Sequence, residues 1–295
     1  MDNKYKVLQD PIYGYLRIDP IPTQEEVEKY YKEEFYSINY KSFNDSSLEV
    51  QEEEADFMNS RWESVEFSEE IFGKIEELSV FDIGFGYAQA LLYFQERGMN
   101  VSGIEPSFEG YKHAKDKGLE VYQSGIEDFD CVGNKRFNIV TIFNVLEHLR
   151  NPAQTLIEIK EKLLKNDGLL VIDVPNEFNA FQTAANNEYN LNEWWVCPPN
   201  HINYFSATSL KKLLHDCGYE VKYCESSFPL EMFMLMGDVY VGNSQLGRQC
   251  HNKRVKFEFL MKKHGHKQKL KKFYQSLAEL DLGRQITIYA RPIEK

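Results

Sequence analysis

The sequence predicts an α/β fold built on a doubly wound, mostly parallel sheet. Three observations carry that prediction. From Ser79 onward, short apolar runs alternate with helical segments, the pattern of strands joined by crossover helices. The first apolar run breaks into a turn holding Gly84 and Gly86, and the chain then enters a helical segment. The helical segments end on Gly98, Gly118 and Gly218, residues suited to the left-handed turn that closes a helix.

Taken in order, strands are expected over 79–83, 101–105, 120–123, 137–143, 169–174, 219–224 and 285–290, giving a seven-stranded sheet. Helices are expected over 88–97, 108–117, 152–164 and 207–217, the last capped by Ser206. The turn Lys165-Asn166-Asp167-Gly168 separates the third of these from its strand. Thr23 and Glu26 form a capping box, so a helix begins there and runs through Tyr30 and Tyr31. Residues 45–77 read as a long acidic, amphipathic helical region. The chain therefore divides into an N-terminal helical cap (1–78), the sheet domain (79–236), a helical insertion (237–281) and a closing strand (282–295).

Composition narrows the function. The net charge of −12 opposes binding to a phosphate backbone, so nucleic acid is not an expected partner. The charge is uneven: acidic residues crowd 45–77, and 253–272 is basic with Glu258 its one carboxylate. Both read as solvated helix faces. Five cysteines with no CxxC pair give neither a disulfide framework nor a zinc spacing. Cys250 and His251 with His264 and His266 match no common metal site, and no metal is expected. The opening residues are polar and no apolar run approaches the ~20 residues that span a bilayer. A cytoplasmic protein, monomer or homodimer, without membrane insertion is expected.

The chemistry centres on Val80-Phe81-Asp82-Ile83-Gly84-Phe85-Gly86-Tyr87-Ala88. Glycines two apart permit a tight turn and leave room for a ligand against the backbone. The following helix offers free amides. A dinucleotide fingerprint needs a small residue three positions after Gly86, where Gln89 stands, so a nicotinamide-dependent oxidoreductase fits poorly. Glu105 ends the second strand, about 20 residues after the turn, where a carboxylate can accept both hydroxyls of a ribose.

These segments, with Gly103-Ile104-Glu105-Pro106-Ser107 and Phe137-Asn138-Ile139-Val140 leading into Asn144-Val145-Leu146-Glu147-His148-Leu149, resemble the class I methyltransferases. The branch they resemble holds ubiquinone- and sugar-type O-methyltransferases. The resemblance covers about residues 79–225. It implies a Rossmann-like fold and S-adenosylmethionine as cofactor, with S-adenosylhomocysteine as product. Carried over by position, Asp82, Gly84, Phe85 and Gly86 form the turn beneath the methionine part. Glu105 and Pro106 lie at the ribose, Ile126 and Glu127 near the adenine, and Asn144 and Val145 face the sulfonium. Phe85 replaces a commonly small residue, and Gly125 stands where an aspartate often contacts adenine.

Methyl transfer to a hydroxyl also needs a proton acceptor, and neutral imidazole suits that task near pH 7. His148 follows the fourth strand, and His201 lies in the long polar-aromatic connection after the fifth. These are the catalytic candidates. Trp194 and Trp195 are the substrate-facing aromatics, and Tyr13 and Tyr15 of the cap are candidates to close over the site. The expectation is O-methylation of a small polar metabolite or sugar-derived intermediate, such as those feeding surface polysaccharides. The alternatives are N-methylation of a small molecule and a non-catalytic methyltransferase-like binding protein.

Overall fold

The computed structural model describes residues 4–30, 59, 62 and 71–293. The chain opens with a hairpin of β1 (Lys6–Gln9) and β2 (Leu16–Asp19), followed by α1 (Gln24–Tyr30). The capping box forms as read: the Glu26 amide donates to Thr23 Oγ1 (3.2 Å) and the Thr23 amide donates to Glu26 Oε2 (2.9 Å). Tyr31, and most of the acidic helical region expected over 45–77, lie outside the described residues.

The α/β core follows. It comprises β3 (Ser79–Ile83), α2 (Gln89–Gln95), β4 (Asn100–Ile104), α3 (Phe108–Asp116), β5 (Glu120–Tyr122), β6 (Phe137–Phe143) and α4 (Pro152–Glu158). Then come β7 (Leu164–Pro175), α5 (Ala180–Tyr189), β8 (Asn203–Tyr204), α6 (Ala207–Asp216) and β9 (Tyr219–Ser226). The short α7 (Glu231–Leu235), the long α8 (Ser244–Lys263) and α9 (Lys267–Glu279), and β10 (Gln285–Pro292) complete the described chain. The seven strands expected from the sequence pair in the order β5-β4-β3-β6-β7-β10-β9. All neighbours from β5 to β7 are parallel, while β10 runs antiparallel between β7 and β9. This is the Rossmann-like, mostly parallel sheet expected from the sequence, with helices before its last strand.

Burial explains the pattern. Ile139, Val140, Thr141 and Ile142 of β6 are wholly inaccessible, as expected for a strand covered on both faces. One face packs against α4 and α6 through Leu156, Leu210, Leu213 and Leu214. The other packs against α2 and Trp62 through Ala90, Tyr93 and Phe94. The chain builds β4 and β5 on one side of β3, then returns to build β6 on the other. Such a reversal opens a crevice at the carboxyl ends of the strands.

Two local readings change. The helix expected over 152–164 is α-helical only to Glu158 and passes through a π-type turn over Ile159–Leu163. β7 then begins at Leu164 instead of Leu169: Phe137 pairs with Leu164 and Ile139 with Leu169, which leaves the polar turn residues as a bulge. The cap is also not purely helical, because β1, β2 and β8 form a three-stranded antiparallel sheet. Strands of four, four and two residues are too short to show a period. Among the described residues, no helix is long and apolar enough to cross a membrane.

Candidate active site

The glycine turn follows β3 because its conformations require glycine. Gly84 has φ 70° and Gly86 φ 54°, left-handed values that other residues adopt at a cost. Ala88, the residue before α2, is also left-handed at φ 58°. A Cβ on Gly84 would lie 2.6 Å from Val145 Cγ2 and 3.7 Å from Ile126 Cδ1. Thus the side chains from the ends of β5 and β6 close over the space that glycine leaves. A Cβ on Gly86 would meet nothing within 4 Å, so the backbone there is open to a ligand.

Glu105 stands one residue beyond β4 and is 3% exposed. Its Oε2 accepts the Gly86 amide (2.9 Å) and its Oε1 accepts the Ser107 amide (2.9 Å). Ser107 in turn caps α3 by accepting the Gly110 amide. The carboxylate therefore ties the glycine turn to the start of α3. Each of its oxygens can accept more than one bond, which suits it to a ribose diol. Pro106 beside it is exposed, and Glu127 is exposed with its Oε1 accepting the Thr155 hydroxyl (2.6 Å).

Two residues of the turn do not offer their side chains. Asp82 is buried within the sheet, where its Oδ1 accepts the Thr141 hydroxyl (2.7 Å). Burial, with the nearby Glu105 charge, raises its pKa to about 7 against the bond from Thr141. Phe85 points into the apolar layer with Leu91, Ala114, Leu119 and Val121. It fits because a Cβ on Gly103 would come within 2.8 Å of the Phe85 ring. Only the backbone of these two residues is placed to face a cofactor. The bulk of Phe85, which stood out in the sequence, fills the core instead.

Beyond β6, Asn144 adopts φ 53°. Its amide donates to the Asp173 carbonyl (2.8 Å) and its Oδ1 accepts from Gln285 Nε2 (3.1 Å). A single helical turn over Leu146–His148 follows. The segment around β8 is fastened to this turn. The Ile202 amide donates to the Glu147 carbonyl (2.9 Å), and Asn203 Nδ2 donates to the carbonyls of Leu146, Glu147 and Leu149. That clamp brings His201 against His148, with ring centroids 5.1 Å apart in an edge-on arrangement. One nitrogen of each ring and a Glu147 carboxylate oxygen lie within 4.8 Å of one another.

The two histidines have opposite electrostatics. His148 Nδ1 lies 2.7 Å from the Asn200 carbonyl oxygen, to which it donates. Burial and the neighbouring His201 push its pKa down to about 3, against the pull of the carbonyls of Asn200 and Asn144. Burial also pulls His201 down, but the bond to Glu177 and the charges of Glu177 and Glu147 outweigh it and raise its pKa. His201 Nδ1 lies 3.3 Å from Glu177. Glu147 is 2% exposed, and burial raises its pKa to about 8. Glu177 is the residue that sequence reading missed. A carboxylate two residues after a strand carries no signal of a partner 24 positions away.

The aromatic candidates fare differently. Trp195 is 4% exposed and packs edge-on against Trp194 and Phe178, so it belongs to the wall behind the loop; Trp194 is half-buried. Tyr15 is buried against Phe205 beneath α6. Tyr13 stacks on Tyr15, lies beneath Lys212 and feels Cys217 and Asp216, at the carboxyl end of α6. That end lies away from the crevice, because a helix leading into a parallel strand starts at the strands' carboxyl edge. Neither tyrosine is placed to close over the site. The hairpin that carries them is joined through β2 to β8, with the Ile18 amide donating to the Ile202 carbonyl (2.9 Å). Of the possible metal group, Cys250 is buried, His251 contacts Arg254, and His264 and His266 are exposed.

A glycine turn beneath Val145, a strand-end carboxylate on that turn and a reversed parallel sheet with an antiparallel β10 define a class I methyltransferase. Residues 63–223, more than half of the chain, match the methyltransferase domain family, and the chain belongs to that family. It is 26% identical over 162 residues to a ubiquinone biosynthesis O-methyltransferase of Rickettsia canadensis, covering 51% of this chain and 66% of that protein. It is 34% identical over 116 residues to the enzyme of the same name from Glaesserella parasuis, covering 36% of this chain and 47% of that protein. The chain thus spans less than two thirds of the length of either relative. The fold resembles a magnesium protoporphyrin IX methyltransferase of Synechocystis solved with bound SAH (TM-score 0.51, 14% identity, 68% of this chain and 92% of that one). It also resembles a SAM-dependent methyltransferase of Archaeoglobus fulgidus (TM-score 0.50, 18% identity, 79% and 93%).

Proposed function

We propose that this protein transfers a methyl group from S-adenosylmethionine to a hydroxyl oxygen of a small polar metabolite or sugar-derived intermediate. One observation carries the reading. The open glycine turn with Glu105 lies along the same sheet edge as the cluster of Glu147, His148 and His201, with Val145 between them. The O-methyltransferase names of the relatives favour oxygen as the atom modified.

The residues present fit the cofactor. Gly84 and Gly86 would pass beneath its methionine part, Glu105 with Pro106 beside it would hold the ribose, Ile126 and Glu127 would flank the adenine, and Asn144 and Val145 would face the sulfur. When bound, the cofactor supplies an electrophilic methyl group on a sulfonium. The chain's task is alignment, which can contribute several kcal/mol, and removal of the acceptor's proton. His201 suits that removal better than His148. A group whose pKa is pushed to about 3 takes protons poorly at neutral pH, whereas the bond to the Glu177 carboxylate raises the pKa of His201.

Incubation of the protein with a cell extract and isotopically labelled methyl donor, followed by mass spectrometry, tests the reading. A labelled O-methyl product is expected. Label on nitrogen, or no labelled product despite tight binding of S-adenosylhomocysteine, would overturn it.

A further inference from the structure

His148 and His201 are both candidate bases, and the structure distinguishes them by what holds each ring. We propose that Glu177 is a positioning residue for proton transfer. Its carboxylate fixes the His201 ring with the proton on Nδ1 and leaves Nε2 as the atom that receives the acceptor's proton. This inference rests on the O-methylation reading above.

The geometry at Glu177 is rigid on both sides. The preceding Asn176 is 1% exposed, its amide donates to the Arg284 carbonyl (2.9 Å), and its Nδ2 donates to the carbonyls of Asp281 (3.1 Å) and Gly283 (3.0 Å). The following Phe178 is held at φ 62°, a left-handed value that a bulky residue keeps only when its surroundings enforce it. Asn179 then returns to the Asn176 carbonyl through Nδ2 (2.8 Å) while its Oδ1 caps α5. The carboxylate itself is 8% exposed. A carboxylate on so fixed a backbone has little freedom to leave its partner.

The His201 backbone is equally constrained. Its amide donates to the Cys197 carbonyl (3.0 Å), its carbonyl accepts the Tyr204 hydroxyl (3.1 Å), and the next amide is bound to Glu147. The groups facing the ring are Glu177 from the loop after β7, Glu147 and His148 from the turn after β6, and Tyr204 of β8; Cys197 of its own loop lies near Glu177. Behind Glu177 lies Arg284, whose Nη1 donates to the fully buried Glu231 (2.8 Å) and whose charge also acts on Glu177.

A carboxylate accepts and cannot donate when ionised, so the proton of a neutral His201 must sit on Nδ1. The lone pair is then on Nε2. When the acceptor hydroxyl gives up its proton, the new N–H bond forms at Nε2, the O–H bond breaks and its electron pair remains on oxygen. The resulting imidazolium keeps its Nδ1 proton, its charge is offset by Glu177, and it returns the extra proton to water after turnover. His148 is held differently: its Nδ1 donates to the neutral carbonyl of Asn200, and its Nε2 lies 3.7 Å from Glu147, a carboxyl whose own pKa burial raises to about 8. It serves as a wall for His201.

The test uses the full chain with labelled histidine, comparing the parent protein with E177Q and E177D and assigning His201 by its loss in H201N. Nitrogen chemical shifts report the tautomer, and a pH titration reports the pKa. In the parent, the neutral His201 ring is expected to carry its proton on Nδ1. In E177Q its proton affinity is expected to fall tenfold or more, and E177D is expected to recover part of that loss. Unchanged titration in E177Q, or a proton on Nε2 in the parent, would overturn the proposal. A merely structural role for Glu177 would lower the melting temperature without moving the titration, and so would overturn it too. Calorimetry with S-adenosylhomocysteine on the same samples separates the two readings. Equal affinity in all variants is expected, whereas absence of binding in the parent would sink the methyl-transfer reading and leave the histidine result standing.

Discussion

Glu105 accepts the backbone amide of Gly86 at 2.9 Å, so the strand-end carboxylate and the glycine turn are one unit. Replacing Glu105 by Ala removes the acceptor for two amides and the group proposed to hold the ribose. Hydrogen bonds to a charged group are worth about 1.5–3 kcal/mol each. The affinity for S-adenosylhomocysteine is expected to fall about 100-fold by calorimetry. A change of less than about threefold would separate this carboxylate from the cofactor.

Gly84 carries a steric demand that can be tested in two stages. In G84A the new methyl meets Val145 at 2.6 Å, and the φ of 70° costs about 1–2 kcal/mol for an L-residue. Loss of cofactor-product binding and a lower melting temperature are expected. Adding V145A should relieve the clash but not the backbone cost, so stability should recover only in part. Full recovery would show that the left-handed turn carries no strain.

Phe85 separates folding from binding. In F85A, the cavity among Leu91, Ala114, Leu119 and Val121 is expected to cost about 3–5 kcal/mol. Denaturant unfolding should show that loss, while the affinity of the remaining folded protein for S-adenosylhomocysteine should stay within about threefold. A selective loss of affinity with unchanged stability would place the ring against the cofactor after all.

Asp82 supplies a pH signature. Its folded pKa of about 7 lies above its ordinary value of 3.8, so the folded state holds the extra proton between those limits. Stability contributed by this group therefore falls as pH rises from about 4 to about 7, and is flat above. D82N keeps an oxygen for Thr141 but does not titrate. Its melting temperature relative to the parent should rise across that window, by several degrees for a linkage of about 4 kcal/mol at most. An equal gap at pH 4.5 and pH 7.5 would refute the buried-proton account.

What was legible in the sequence follows the range of the interactions. The seven strands showed because burial on both faces makes continuous apolar runs, and the glycine turn with Glu105 showed because its spacing is local to one βαβ unit. The direction of Phe85 was hidden because it depends on the absence of a side chain at Gly103 in the neighbouring strand. Tyr13 and Tyr15 were misplaced because their hairpin is anchored by β8, nearly 190 positions later, and no local pattern marks that pairing. The Glu177–His201 bond depends on a loop held by Asn176, Gly283 and Arg284, which come together only when the sheet closes.

β10 is inserted between β7 and β9 although it follows both, and Gln285 at its start donates to Asn144 beyond the end of β6. On the ribosome, the glycine turn and Glu105 can assemble from one short stretch of nascent chain. The opposite wall must wait until residues 285–292 emerge. Until then β7 and β9 each expose an unpaired edge, the most hazardous moment in this protein's synthesis for sticking to a neighbour. The helices α8 and α9, made just before β10, lengthen that wait by their own time of translation.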